Sequence, residues 1–271
     1  MKDIAKKSNT MYLLDKYGMS ATKKFGQNFL IDLNTIKKIV DTTPVDKKTA
    51  VIEVGPGLGA LSEQLSYKAG KVLCFEIDER LKDLLNESLG EFDNVEIVFQ
   101  DFLTVDLYNV VEELKKDYEN VCIVANLPYY ITSDIIEHII TSNASLHSIH
   151  SMVQKEVALK LTDKNYHSPL TFMIESIGTI QLDMNVSRNV FDPAPHVDSA
   201  IISIYKYRDY NSQLTKVLRQ AFLQKRKTIY NNLKSLFKDE TKDILEKCHI
   251  SEKARAEQLS IEDYIEITKY I

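Results

Sequence analysis

Short apolar runs alternate along most of the chain with segments whose apolar positions recur every three or four residues. The run 121–125, Val-Cys-Ile-Val-Ala, follows a polar stretch and reads as a buried parallel strand. Runs at 50–54, 71–77, 95–99, 146–153, 179–187 and 198–207 read as six further strands. Between them the periodicity predicts helices over 33–40, 60–68, 79–89, 107–118, 133–140, 154–161 and 169–177, with Asp32 as the N-cap of the first. Residues 10–17 read as a short amphipathic helix ended by Gly18 at C′. Strands alternating with helices through short turns predict an α/β fold with a doubly wound, seven-stranded Rossmann-like sheet. Beyond Asp209 the pattern is wholly helical. The expected organisation is thus a sheet domain with an amino-terminal extension over 1–208 and a small helical domain over 209–271.

Candidate chemistry gathers where strands end. Asn126-Leu127-Pro128-Tyr129 follows the 121–125 run directly. Pro128 cannot continue a central strand, so the chain leaves the sheet there, and in open parallel sheets ligands bind beyond the carboxyl ends of strands. An Asn carbonyl with neighbouring backbone carbonyls can accept hydrogen bonds from an exocyclic amine, and Tyr129 can stack on the base that carries it. Gly55-Pro56-Gly57-Leu58-Gly59 lies between a strand and a helix, the context in which a Gly-rich turn lets a ligand approach the backbone. Glu76, 21 residues after Gly55, ends the second strand at the spacing where a carboxylate meets a ribose diol. Asp101 ends the third strand and can accept from an adenine amine.

The glycine turn alone does not separate NAD from S-adenosylmethionine. Pro56 stiffening the turn, Asp101, and a proline turn suited to an amine but idle in hydride transfer favour the latter. No histidine stands as a proton relay: His138 falls on a helix, and His147 and His150 lie on or beside the fifth strand, as structural or solvent-facing residues. Pro193 and Pro195 make a stiff, extended loop able to hold Phe191 against the site.

Composition narrows the setting. The chain has 271 residues, of which 44% are hydrophobic, enough for one large core and a smaller unit. No apolar run approaches the ~18 residues of a membrane span, and the first twenty residues lack the apolar stretch of a signal peptide. Cys74, Cys122 and Cys248 are odd in number and far apart. They form neither a disulfide framework nor a zinc site, and a reducing cytoplasm fits. The net charge of −5 hides an uneven distribution. Residues 1–24 carry six Lys against two Asp, and residues 216–238 carry Lys216, Arg219, Lys225, Arg226, Lys227, Lys234 and Lys238 with no acid. Such stretches are electrostatic footprints for a polyanion inside an acidic protein.

Taken together, Phe25-Gly26-Gln27-Asn28-Phe29-Leu30, Glu53-Val54-Gly55-Pro56-Gly57-Leu58-Gly59, Gln100-Asp101, Asn126-Leu127-Pro128-Tyr129, Phe191-x-Pro193-x-Pro195-x-Val197-Asp198-Ser199-Ala200 and the tail segments at 226–233 and 255–258 resemble the ribosomal RNA adenine N6-dimethyltransferases. The resemblance covers almost the whole chain and is nearest to the bacterial small-subunit type. It implies S-adenosylmethionine as methyl donor and no metal. Asn28 and Leu30 would cover the donor, Gly55, Gly57 and Gly59 would underlie its methionine and ribose, and Glu76 and Asp101 would hold its ribose hydroxyls and adenine amine. Asn126 would sit at the junction with the target. Asn126 and the Leu127 or Pro128 carbonyl would hold the amine, with Tyr129 and Phe191 sandwiching the base. The implied partner is 16S rRNA in an immature 30S subunit, met by a cytoplasmic monomer. The 23S adenine dimethyltransferases, a non-catalytic assembly factor and an NAD oxidoreductase remain as alternatives. Two departures from the family pattern are Tyr166-His167-Ser168-Pro169-Leu170 and Tyr230.

Overall fold

Thr49–Val54, named β1, is buried along its whole length and sits near the middle of a seven-stranded sheet in a computed structural model that describes residues 3–19 and 27–271. Lys2, Lys23, Lys24 and the first two residues of the first motif, Phe25 and Gly26, lie outside the described residues. The remaining strands are β2 Lys71–Glu76, β3 Val95–Phe99, β4 Asn120–Asn126, β5 Ser148–Gln154, β6 Gly178–Val186 and β7 Ser199–Lys206. Their spatial order is β3-β2-β1-β4-β5-β7-β6. The first five are parallel, and β7 runs antiparallel to β5.

The helices are α1 Lys7–Lys16, α2 Leu33–Asp41, α3 Ala60–Lys68, α4 Lys82–Leu89, α5 Leu107–Leu114, α6 Thr132–Thr141, α7 Lys155–Thr162, α8 Pro169–Ile177, α9 Ser212–Ala221, α10 Ile229–Phe237, α11 Thr241–Lys247 and α12 Ile261–Thr268. Asp32 caps α2 as expected, its side chain accepting from the Thr35 N–H at 2.6 Å. α5 stops four residues short of the expected 118. Residues 115–118 turn instead, and the Glu119 N–H donates to the Lys48 carbonyl at 2.9 Å, which joins the start of β4 to the edge of β1.

From β1 the chain moves outward to β2 and β3, then returns to place β4 on the other flank of β1. That reversal opens a crevice at the carboxyl ends of β1 and β4, the usual ligand position in such sheets. A separate two-stranded ribbon pairs Phe29–Leu30 with Phe191–Asp192, Leu30 opposite Phe191. Leu30 and Phe191 join one core cluster with Val51, Val124 and Ile201. A second cluster packs Leu13 and Leu14 of α1 on Leu84, Leu85 and Leu89 of α4.

The sheet also buries a polar chain. The Ser148 hydroxyl lies 2.8 Å from His150 Nε2, and the Ser203 hydroxyl lies 2.7 Å from Nδ1. Ser203 donates to the Asp183 carboxylate, which can only accept. The serine oxygen therefore accepts the Nδ1 hydrogen, and Nε2 accepts from Ser148. Burial pushes the His150 ring down to about 4, so it stays neutral. It is a satisfied core histidine.

The chain divides into two compact units. One comprises residues up to Thr162 together with Ile180–Lys206; the other comprises Asp163–Thr179 and Tyr207–Ile271. The break falls at 206/207, two residues before the expected 208/209, and α8 joins the helical unit. There Phe172 of α8 packs against Tyr264 of α12 with ring centroids 5.0 Å apart. The 166–170 departure is a helix start: Ser168 and Thr171 form a capping box around Pro169 at the first turn.

Candidate active site

Four strand ends build the crevice: Gly55 after β1, Glu76 at the end of β2, Asp101 after β3 and Asn126 at the end of β4. It encloses about 1280 Å³, counting its open mouth. All the residues assigned from the sequence line it except Gly59 and Phe191.

The glycine turn earns its composition at two positions. Gly55 has φ +70°, and a Cβ there would project into open space, so the crevice comes up to the backbone itself. Gly59 has φ +89° and caps α3, and a Cβ there would stand 2.9 Å from the Leu89 side chain. The missing side chain lets α3 start close to Leu89 of α4. The Gly57 N–H donates to Glu76 at 3.3 Å.

Glu76 is buried, and its second oxygen accepts from the Asp78 N–H at 2.9 Å. Burial raises its pKa against the pull of these two N–H groups. Asp78 is held low by a two-point contact with Arg80, with Gln27 donating to it at 3.1 Å. The β2 end thus offers one acid engaged by arginine and one facing the crevice. Asp101 Oδ1 accepts from the Leu103 N–H at 3.0 Å, which fixes the carboxylate while it lines the crevice.

At the β4 end, the Leu127 N–H donates to the Met152 carbonyl at 3.2 Å, holding the proline turn to the neighbouring strand. The Pro128 carbonyl accepts from Thr132 Oγ1 at 3.0 Å and from the Ile131 N–H at 3.2 Å. The Leu127 carbonyl accepts no hydrogen bond among the described residues. Of the two expected amine acceptors, Leu127 is therefore the one left for a ligand. Tyr129 is half-buried, and its hydroxyl lies 2.6 Å from that of Ser199 at the start of β7. Phe191 departs from its expected place. It is 3% exposed, lies outside the crevice lining and packs in the core behind Leu30. The ribbon pairing turns its ring inward, and the following prolines do not reverse it.

Residues 18–271 match the family profile of the ribosomal RNA adenine dimethylases. The chain belongs to that family. It is 41% identical over 279 residues to the ribosomal RNA small subunit methyltransferase A of Bacillus licheniformis, covering 97% of this chain and 95% of the relative. It is 39% identical to the protein of the same name from Staphylococcus aureus, covering 98% and 95%. Among solved structures, the 23S rRNA methyltransferase ErmE is similar with a TM-score of 0.64 and 26% identity, over 89% of this chain and 98% of that one. A dimethyladenosine transferase from Plasmodium falciparum shares the fold, with a TM-score of 0.71 and 22% identity over 87% and 94%.

Three residues of this dimethylase-family crevice escaped sequence reasoning. Thr10 is buried and lines the wall from α1; the signal is a polar residue in the apolar stripe with Leu13 and Leu14. Glu53 is an acid inside an apolar strand. It is buried beneath the glycine turn, near Ser62 and Cys74, and burial pushes it up to about 7. Tyr130 is 55% exposed and lines the crevice beside Tyr129. Among the described residues no group of His, Cys, Asp or Glu could hold a metal ion, and no helix is long and apolar enough to cross a membrane.

Proposed function

We propose that the protein transfers methyl groups from S-adenosylmethionine to the N6 amines of two adjacent adenosines in the 3′-terminal hairpin loop of 16S rRNA, giving N6,N6-dimethyladenosine. The observation that carries this reading is the convergence of Glu76, Asp101, Asn126 and the unengaged Leu127 carbonyl on one crevice. Two features support this donor: Gly55 puts no Cβ between the crevice and the backbone, and Glu76 and Asp101 supply carboxylate acceptors suited to hydroxyls and an amine.

Glu76 accepts the ribose hydroxyls and Asp101 the adenine amine, with Asn28 and Leu30 covering the same ligand. When bound, S-adenosylmethionine supplies an electrophilic methyl carbon on its sulfonium. The target N6 is a poor nucleophile because its lone pair is conjugated with the ring. Asn126 and the Leu127 carbonyl accept its hydrogens, favour a pyramidal nitrogen and turn the lone pair toward the donor. Tyr129, held by Ser199, stacks on the base, which is worth about 1–3 kcal/mol. A loop adenine is cheaply unstacked to reach that ring.

The seven basic residues of 216–238 are all exposed, and this suits them to rRNA phosphates. We assign the 209–271 segment to rRNA or subunit contact, with an immature 30S particle as partner and one chain as the acting unit. Three free, buried cysteines suit a reducing cytoplasm. The small-subunit assignment, over the 23S type, rests on the relatives at 41% and 39% identity.

The test is to incubate the protein with labelled S-adenosylmethionine and undermethylated 30S particles, then map the modified bases. Label on two neighbouring 16S adenines is expected. Label on 23S rRNA would shift the target, and no label with retained 30S binding would leave an assembly factor. Asn126→Ala is expected to abolish methylation while weakening donor binding only partly.

A further inference from the structure

Glu63, in α3, is fully buried, yet both its oxygens are engaged by a segment some sixty residues earlier in the chain. Oε1 accepts from the Asp3 N–H at 2.6 Å and Oε2 from the Ile4 N–H at 2.8 Å. A carboxylate is costly to bury unless hydrogen-bonded, and two charge-assisted bonds to backbone fix geometry as well as charge. The contact continues. Ile4 is fully buried and its carbonyl accepts from Thr10 Oγ1 at 2.9 Å; the Asp3 carbonyl accepts from Asn9 Nδ2 at 3.1 Å. Thr10 is part of the crevice wall.

The same helix ties Glu63 to the crevice floor. α3 is capped by Gly59, whose carbonyl accepts the Glu63 N–H at 2.8 Å. The far end of α1 is held separately, Lys16 and Tyr17 both reaching Glu87 of α4. One carboxylate thus links the glycine turn beneath the ligand to the α1 wall beside it.

We propose that Glu63 is a positioning residue that latches residues 3–10 as a wall of the crevice and thereby sets its affinity for the methyl donor. The inference rests on the reading of this crevice as the S-adenosylmethionine site. Glu63 touches no ligand; it acts through Ile4 and Thr10.

The experiment compares wild type, Glu63→Gln, Thr10→Val and the double variant. S-adenosylmethionine binding is measured by calorimetry, and KM and kcat are measured on undermethylated 30S particles. Glu63→Gln should raise Kd and KM for the donor about tenfold, the effect of losing one charge-assisted bond, with kcat at saturation within about twofold. The two substitutions should be non-additive in donor affinity, because they break one chain of bonds. Donor affinity unchanged in Glu63→Gln, or kcat falling with the folded fraction while KM stays at the wild-type value, would overturn the latch. Should Glu63→Gln fail to fold, Thr10→Val opens the chain at its last bond and must raise KM with kcat kept; an unchanged KM there overturns it equally. Failure of the wild type to bind S-adenosylmethionine would instead sink the reading of the crevice, and the latch with it.

Discussion

The Tyr129 hydroxyl lies 2.6 Å from that of Ser199, seventy residues away, and this contact fixes the aromatic ring at the crevice rim. Ser199 opens β7 and is fully buried, while the preceding Asp198 accepts from the Arg188 N–H at 3.0 Å. The Val-Asp-Ser-Ala motif thus touches a crevice residue without lining the crevice: Asp198 holds the turn at Arg188, and Ser199 meets the tyrosine hydroxyl.

Removing that contact should weaken substrate handling without emptying the crevice. Tyr129→Phe keeps the stacking face and loses one hydrogen bond, so kcat/KM for 30S particles should fall by about 1 kcal/mol, roughly fivefold. Tyr129→Ala should lose the stacking as well, a further ~1–3 kcal/mol. Donor affinity measured by calorimetry should stay near wild type in both. Equal kcat/KM in Phe and Ala variants would show that the ring does not hold the base.

Donor binding should weaken in acid earlier than an ordinary carboxylate would dictate. Burial raises Glu76 above 4.5, and in the proposed donor complex the ionised form is the one able to accept from two hydroxyls. As pH falls through that raised pKa the free protein takes up a proton, and Kd should climb. Glu76→Gln should bind weakly throughout and remove this part of the pH dependence. Calorimetry across the acid range, with wild type and variant in the same buffers, checks both.

Two buried groups bias folding stability in opposite directions. Glu53, at about 7 when folded against 4.5 ordinarily, contributes stability that is full below 4.5 and lost as pH rises to 7. His150, at about 4 against 6.5, contributes stability that is full above 6.5 and lost as pH falls to 4. Each can amount to about 3 kcal/mol, at ~1.4 kcal/mol per unit. Between pH 4.5 and 6.5 the two slopes oppose each other. Glu53→Gln should unmask the histidine, losing up to about 3 kcal/mol more than wild type on acidification across that window. Denaturant titrations at its two ends measure the difference, and identical losses in the two proteins would refute it.

The exposed cations of the α9–α10 turn predict a salt effect. Charge reversal at Lys225, Arg226 and Lys227 should lower the steepness of log K against log salt for rRNA binding by about 2–3, at ~0.7–0.9 per phosphate contact. Filter binding at several salt concentrations reads the slope directly. An unaltered slope would place the phosphate contacts elsewhere.

Much of this site was legible because its parts stand at strand ends. Asn126, Glu76 and Asp101 each follow an apolar run, and the glycine turn sits between a strand and a helix, so local pattern alone placed them around one opening. What local pattern could not carry was pairing over distance. Phe191 was expected at the site because two prolines follow it. Its ring instead packs in the core, because its backbone pairs with Leu30. Glu63 looks like any surface acid of an amphipathic helix until Asp3 and Ile4 fold over it. α8 reads as one more sheet-covering helix, yet Phe172 commits it to Tyr264 and the tail. In each case the deciding contact spans tens of residues or more, where periodicity has no reach.

The ribbon between Phe29–Leu30 and Phe191–Asp192 bears on how the protein is made. During translation the amino-terminal end emerges first and must wait for its partner. The glycine turn and the first five parallel strands can assemble early, but the flank carrying Leu30 has nothing to pair with until Asp192 has cleared the exit tunnel. Nascent chains stalled before that point should be collapsed yet incompetent for ligand, and competence should arrive late, in a single step.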